Sequence, residues 1–247
     1  MPENRFVGEV AHGYDHTHAA SFAAEVLDPM VERLAALAEG GRVLEFAIGT
    51  GRVALPLAAR GVDVSGIELS TDMIAELRRA PGGGAIPVVE GDMATTRMAG
   101  EFSLVYLVFN TITNLTTQDE QVACFDNAAR HLAPGGRFVI ENGVPALRSL
   151  PPGAVGRTFV MDDDHIGIDD FTDRTHLQLS RSRHFRRTAD GTFAEFTAPF
   201  RYVWPSELDL MARIAGLTLE HRWAGWDASP FTGDSPSHVS VWRRPAG

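Results

Sequence analysis

The sequence predicts an α/β fold: a mostly parallel sheet with helices on both faces, and an antiparallel β lobe inserted late in the chain. Three observations point there. Short apolar runs ending in a carboxylate alternate with helical patterns over the first 140 or so residues. Glycine-rich turns follow directly on two of those runs. From about Pro151 to Pro205 the composition changes to charged, alternating segments. The 247 residues, 44% of them hydrophobic, suffice for one well-packed domain with an insertion and leave no room for a second full one.

The elements follow in order. Asp28-Pro29 reads as an N-cap with proline at the first helical position, and Val31, Leu34 and Leu37 then share one face. The first strand is Val43-Leu44-Glu45-Phe46, closed by Ala47-Ile48-Gly49-Thr50-Gly51-Arg52. Pro56 is compatible with a helix starting near Arg52, because a first-turn N–H has no partner to lose. Residues 61–68 form a second strand ending in Glu68, residues 86–93 a third with Asp92 at its end, and residues 102–108 a fourth. Thr117-x-x-Glu120 is a capping box. It opens a helix with Val122, Phe125, Ala129 and Leu132 at helical spacing, closed by Pro134-Gly135-Gly136 before a strand at 137–141. Residues 175–187 and 192–204 flank Asp190-Gly191, a hairpin signal. Ser206 then caps a helix at 207–215, and strands follow at 217–223 and 237–243.

The acids placed among these elements suggest the ligand. Gly49 and Gly51 let a nucleotide-like molecule approach the backbone, and Gly49-x-Gly51-x-x-Ala54 also matches the dinucleotide fingerprint loosely. A carboxylate at Glu45 would repel a pyrophosphate but attract the ammonium of S-adenosylmethionine (SAM). Glu68 lies 17 residues beyond Gly51, close to the roughly 20 expected for a ribose-binding acid in either ligand class. Asp92 is suited to accept a hydrogen bond from an adenine amino group.

The order Glu45, Gly49/Gly51, Glu68, Gly91-Asp92-Met93 and Pro134-Gly135-Gly136 resembles the class I SAM-dependent methyltransferases over most of the chain. Phe109-Asn110-Thr111-Ile112-Thr113-Asn114 and Tyr14-Asp15 resemble the small-molecule branch that includes antibiotic-sugar N-methyltransferases. Ala47 stands where that family usually has its first glycine, and Asn114 where some sugar-branch relatives carry a histidine. The resemblance implies a Rossmann-like seven-stranded sheet closed by the final antiparallel hairpin. It implies SAM as cofactor, held by Tyr14, Glu45, Ala47, Gly49, Gly51, Arg52, Glu68, Leu69, Met73, Asp92, Met93 and Phe109. It further implies a small-molecule acceptor lined by Asn110, Thr113, Asn114, Arg201 and Tyr202, with His18, Asn114 and Tyr14 as catalytic candidates. The expected organisation is a SAM-binding core with an N-terminal helical cover over 1–150, the β lobe over 151–205, and a final helix and hairpin over 206–247. Inserted after the fifth strand, the lobe would serve as a lid over the acceptor or as a subunit contact in a homodimer.

Composition excludes other classes. A net charge of −10 opposes a phosphate-backbone partner, so nucleic acid is a poor substrate. All 22 basic residues are arginine, which removes Schiff-base chemistry, a P-loop lysine and the lysine of a short-chain dehydrogenase. The single cysteine, Cys124, forms no internal disulfide and fits a reducing compartment. Without a signal peptide or an apolar run of about 18 residues, the expected location is cytoplasmic, with no membrane partner.

Each candidate has a plainer reading beside the functional one. Glu45, Gly49 and Gly51 could be an ordinary strand-turn-helix joint, Asp92 an N-cap or turn residue, and Tyr14 a buried anchor of the N-terminal helix. His12, His16 and His18 are close enough in sequence to suggest a metal but lack a supporting cysteine, and Asp162-Asp163-Asp164 reads equally well as a loop; no metal is expected. His165, His176 and His184 read as exposed strand residues, and Cys124 as a small core residue. Two further functions stay open: a SAM-binding protein without turnover, such as a regulatory subunit, and an NAD-dependent oxidoreductase, the latter disfavoured by Glu45 and the missing lysine.

Overall fold

A computed structural model describes residues 4–173 and 177–246. Near the N-terminus come two one-turn helices, α1 (Glu9–His12) and α2 (Tyr14–Thr17), and a 3-10 turn at Ala19–Phe22. The core proceeds through α3 (Ala24–Ala38), β1 (Val43–Phe46), α4 (Ala54–Ala59), β2 (Val64–Glu68), α5 (Thr71–Arg79), β3 (Val88–Glu90), β4 (Phe102–Leu107), α6 (Gln118–His131) and β5 (Leu132–Gly143). Four lobe strands follow, β6 (Gly156–Met161), β7 (His165–Asp173), β8 (Leu179–Arg187) and β9 (Phe193–Arg201). The chain then returns to the core as α7 (Pro205–Ile214), β10 (Thr218–Trp223) and β11 (Ser237–Arg243).

The main sheet has the order β10-β11-β5-β4-β1-β2-β3, with β11 antiparallel to both its neighbours and the remaining pairs parallel. A Rossmann-like, seven-stranded, mostly parallel sheet with a closing hairpin is thus what the chain builds. The strand order reverses between β1 and β4, so the turns after these two strands open the crevice where ligands of such sheets bind. Apolar side chains cover both faces. On one, Phe46, Phe102, Phe125, Phe138 and Trp242 pack together, with Phe125 edge-on to Phe138 at 5.1 Å and to Trp242 at 5.3 Å. On the other, Val31 and Leu34 of α3 and Leu57 of α4 meet Val43, Leu104 and Val241.

Several local expectations need correction. The helix expected to start at Asp28-Pro29 begins at Ala24 and carries Pro29 inside it, because Met30, Val31, Leu34 and Ala38 form a buried stripe strong enough to tolerate one missing N–H. Asp28 is no cap; it pairs with Arg60 at 3.2 Å. The capping box at Thr117 and Glu120 is present, but the buried face of α6 is Gln121, Cys124, Phe125 and Ala128, leaving Val122 and Ala129 at its margin. The last helix takes Pro205 at its first position after Trp204, so Ser206 lies inside it.

The lobe is a separate antiparallel meander in the order β6-β7-β8-β9. The Asp190-Gly191 turn joins β8 to β9 as expected: Gly191 has φ 84°, and Asp190 Oδ1 accepts bonds from Thr188 and Thr192. Thr175, where an expected strand began, and His176 lie outside the described residues. Asp162 Oδ1 accepts the N–H groups of Asp164 and His165 at 2.9 and 2.7 Å, so the acidic run forms the β6–β7 turn.

Candidate active site

The turn after β1 makes the floor of a cavity. Ala47 and Gly49 hold left-handed φ angles of 52° and 58°, costly for an alanine and free for a glycine. Gly51, at φ 87°, is not in the lining of this cavity but is required by packing: a Cβ there would lie 2.4 Å from Leu77 Cδ1. The departure at Ala47 therefore leaves backbone strain in the cavity floor.

Glu45, 4% exposed, faces this cavity from the end of β1 and accepts the Tyr106 hydroxyl at 2.7 Å. Burial raises its pKa from 4.5 to about 8 against the lowering pull of Tyr106, Arg52 and the Ala54 N–H. At neutral pH this carboxyl is mostly protonated. Glu68, at the end of β2, lines the same cavity and is already bonded: its Oε2 accepts Gly49 N–H at 2.8 Å and its Oε1 accepts Ser70 N–H at 2.9 Å. It therefore ties the glycine turn to the start of α5, and burial raises its pKa as well. Each carboxylate oxygen has a second lone pair left for a ligand hydroxyl. Leu69 and Met73 add an apolar wall.

Asp92 and Met93 line the cavity beyond β3. Asp92 Oδ1 accepts Ala94 N–H at 2.8 Å, the turn role anticipated for an aspartate, while its Oδ2 takes no hydrogen bond among the described residues. After β4, Phe109 and Asn110 are both left-handed, each at φ 59°. A phenylalanine in that region is a true outlier and persists only where its surroundings impose it. Here Glu141 imposes it: Oε2 accepts Phe109 N–H at 2.9 Å, its carbonyl accepts Asn110 N–H at 3.3 Å, and Trp226 Nε1 donates to Oε1 at 2.9 Å. Arg52 lies over the Phe109 ring at 4.7 Å and also lines the cavity.

The N-terminal segment covers this space. Tyr14 lines it, with its pKa raised to about 12 by burial. Three hydrogen bonds pin the cover: Thr50 Oγ1 to Asp15 at 2.7 Å, Gly8 N–H to Asp72 at 2.7 Å, and Ser70 Oγ to the Phe6 carbonyl. Asn4, Arg5 and Phe6 also reach the cavity, and sequence reasoning missed them. The one available signal was an aromatic residue shortly before Tyr14, whose ring Phe6 meets edge-on at 5.9 Å. His18 does not line the cavity; it packs on Tyr14 and Phe109, with ring centroids 4.6 and 5.4 Å away.

A second cavity lies between the main sheet and the lobe. The turn at 108–114 separates the two: Phe109, Thr111 and Asn114 face the first, Asn110 and Thr113 the second. Tyr202 lines the second cavity with Phe171 and Ser182. Arg201 lines neither cavity, contrary to the expectation for it. It is 3% exposed, bonded to Gln121 Oε1 at 2.5 Å, Gln178 Oε1 at 3.1 Å and Glu207 at 2.6 Å, and so clamps the end of β9 to α6 and α7. Asn114, expected against the acceptor, lines the first cavity. Cys124 is fully buried in the core. Among the described residues, no group of three or more His, Cys, Asp or Glu could hold a metal ion.

The chain is similar in sequence and in fold to known proteins. Residues 43–136 match the family described as Methyltransferase domain. The chain is 27% identical over 208 residues to the cypemycin N-terminal methyltransferase of a Streptomyces species, covering 83% of this chain and 84% of that one. It is 32% identical over 148 residues to the dTDP-3-amino-3,6-dideoxy-alpha-D-glucopyranose N,N-dimethyltransferase of Streptomyces fradiae, covering 57% of this chain and 55%, about half the length, of that one. The solved structure of the CcbJ methyltransferase from Streptomyces caelestis superposes with a TM-score of 0.78 at 36% identity, covering 88% of this chain and 89% of that one.

Proposed function

This chain belongs to the SAM-dependent methyltransferases, and from that membership we propose that it transfers a methyl group from SAM in the first cavity to a nitrogen of a small specialised metabolite in the second. The observation that carries this reading is the turn at 108–114, whose residues alternate between the two cavities and form the wall across which a methyl group would pass.

The residues of the first cavity fit SAM. Glu45 offers a buried acid for the ammonium, Glu68 two oxygens for a ribose diol, and Asp92 an unpartnered oxygen for an amino group. Arg52 supplies the countercharge for a carboxylate. SAM brings a methyl group already activated on a sulfonium, so the protein is asked mainly for alignment and exclusion of water. Tyr14 and the pinned N-terminal cover close the cofactor side. The strained Phe109–Asn110 pair, braced by Glu141, fixes the partition, so acceptor and donor meet at one defined place. His18, behind Tyr14 and Phe109, acts as a positioning residue for those rings rather than as a base in contact with the acceptor.

Nitrogen is the favoured acceptor atom because one relative is named an N-terminal methyltransferase and another an N,N-dimethyltransferase of an amino sugar. A free amine needs no strong base once neutral. The four-stranded lobe acts as the acceptor lid. No helix among the described residues is long and apolar enough to cross a membrane, and the lone buried Cys124 fits a cytoplasmic site of action. The test is thermal denaturation with ligands, since a molecule that binds only the native state raises the melting temperature. SAM and its demethylated product should stabilise the protein and NAD should not. Stabilisation by NAD alone would overturn the assignment of the first cavity.

A further inference from the structure

The lining of the second cavity distinguishes between two kinds of acceptor. Its charged side chains, among those described, are Asp169, Asp234 and Arg157, and Arg157 lies 3.4 Å from Asp169 Oδ2. One cation, already facing a carboxylate, leaves nothing to neutralise a diphosphate, which requires several charge-assisted donors. The balance instead favours a positively charged ligand.

A second feature concerns hydrogen bonding. Asn142, on β5, lines this cavity and is 2% exposed. Its Nδ2 donates to the Gly143 carbonyl at 2.9 Å, while its Oδ1 is buried and has no partner. Buried polar atoms rarely stay unpaired, so this oxygen calls for a donor from a ligand. Its strand neighbour His238, opposite it on β11, has an unpartnered buried Nε2 as well. Ser180 and Ser182, both nearly buried, add hydroxyls from the lobe.

We propose that the second cavity selects a cationic, hydroxyl-bearing amine that carries no phosphate, with Asp169 recognising the ammonium through Oδ1, the oxygen that Arg157 does not face, and Asn142 Oδ1 accepting from a ligand hydroxyl or amine. This deepens the assignment of that cavity to the acceptor and rests on it. It sets this chain apart from the dTDP-amino-sugar enzyme it resembles, whose named substrate bears a diphosphate. In the transfer, the amine reacts as its free base after losing a proton to solvent. Its lone pair forms the N–C bond while the C–S electron pair returns to sulfur, and the nitrogen becomes a methylated ammonium. Asp169 favours that developing positive charge.

The experiment uses the intact protein saturated with S-adenosylhomocysteine and measures binding of three probes by calorimetry. They are methyl 3-amino-3-deoxyglucopyranoside, its N-acetyl form, and the same amino sugar linked to dTDP. The free amine should bind at least about tenfold more tightly than either of the others, the scale of one charge-assisted contact. Asp169→Asn should remove that preference, and Asn142→Leu should weaken binding of the amine, with affinity for S-adenosylhomocysteine retained in both. Preference for the dTDP-linked probe, no binding of any probe, or an unchanged preference in Asp169→Asn would overturn the proposal. Ser182→Phe separates this from the underlying assignment by filling the cavity. If the amine still bound Ser182→Phe as before, the acceptor would not occupy the second cavity at all. If Ser182→Phe blocked every probe but the dTDP-linked form had been preferred, only the substrate class would be wrong.

Discussion

Replacing Glu45 with glutamine should make the free protein more stable and SAM binding weaker. The carboxyl is buried and its pKa is raised from 4.5 to about 8, burial being the largest cause. For an acid, a raised folded-state pKa means that stability is greatest below the unfolded pKa and falls as pH climbs toward the folded pKa. Over that window, from about 4.5 to about 8, each pH unit costs the fold about 1.4 kcal/mol, since the unfolded chain ionises and the folded one does not. At pH 7 the accumulated cost is roughly 3 kcal/mol. Glutamine cannot ionise and still accepts the Tyr106 hydroxyl, so Glu45→Gln recovers much of that amount. Urea denaturation from pH 5 to 8 should show the wild type losing stability relative to the variant as pH rises. Titration calorimetry should show SAM affinity of the wild type rising over the same range, because the ammonium binds the ionised carboxylate, while the variant binds more weakly and loses the pH slope. A folded Glu45→Gln variant with wild-type stability at pH 7, or with unchanged SAM affinity, would refute the reasoning.

Ala47→Gly should stabilise the protein by about 0.5–1 kcal/mol in urea denaturation, because alanine at φ 52° is strained and glycine is not. Glu68→Ala should lower SAM affinity by about 1–3 kcal/mol and also destabilise the free protein, since the half-buried Gly49 and the buried Ser70 N–H groups lose their acceptor. Arg201→Ala should cost about 3–5 kcal/mol of stability by leaving Glu207 without its cation, with only the amides of Gln118 and Gln178 still donating to it, and in whatever fraction folds, SAM affinity should match the wild type. Tyr202→Leu should raise the acceptor KM severalfold in steady-state kinetics without altering the dissociation constant for SAM.

Much of the first cavity is legible in the sequence because its polar groups are concentrated at strand ends. Glu45 and Glu68 are acids that terminate otherwise apolar strands, and a carboxylate there has few structural reasons to exist. The open sheet then fixes where such residues meet. Gly51 illustrates the limit of this reasoning: its place in the motif is readable, but the reason for it is the side chain of Leu77, 26 residues away. The N-terminal cover is hardly legible, since Asn4, Arg5 and Phe6 form no periodic pattern, and the segment is held by bonds to the distant Ser70 and Asp72. Pro29 misled because a proline usually opens a helix, and only the tertiary stripe of Met30, Val31, Leu34 and Ala38 reveals five residues before it. Arg201 and Tyr202 are adjacent in sequence, but Arg201 is the last residue of β9 and Tyr202 the first beyond it. One joins a buried network and the other a cavity, a distinction that composition cannot supply. The brace from Glu141 to Phe109 and Trp226 was unreadable because its three members come from distant parts of the chain.

The division of labour between the two cavities is tested most directly by following transfer of a labelled methyl group from SAM to a pool of small hydroxylated amines. The measurement compares wild type, Glu68→Ala and Tyr202→Leu, with the SAM dissociation constant determined in parallel. Label should appear on an amine with the wild type. Glu68→Ala should weaken SAM binding, and Tyr202→Leu should reduce transfer at limiting acceptor while binding SAM normally. Loss of SAM binding in a folded Tyr202→Leu variant, or transfer unaffected by it at every acceptor concentration, would contradict the account.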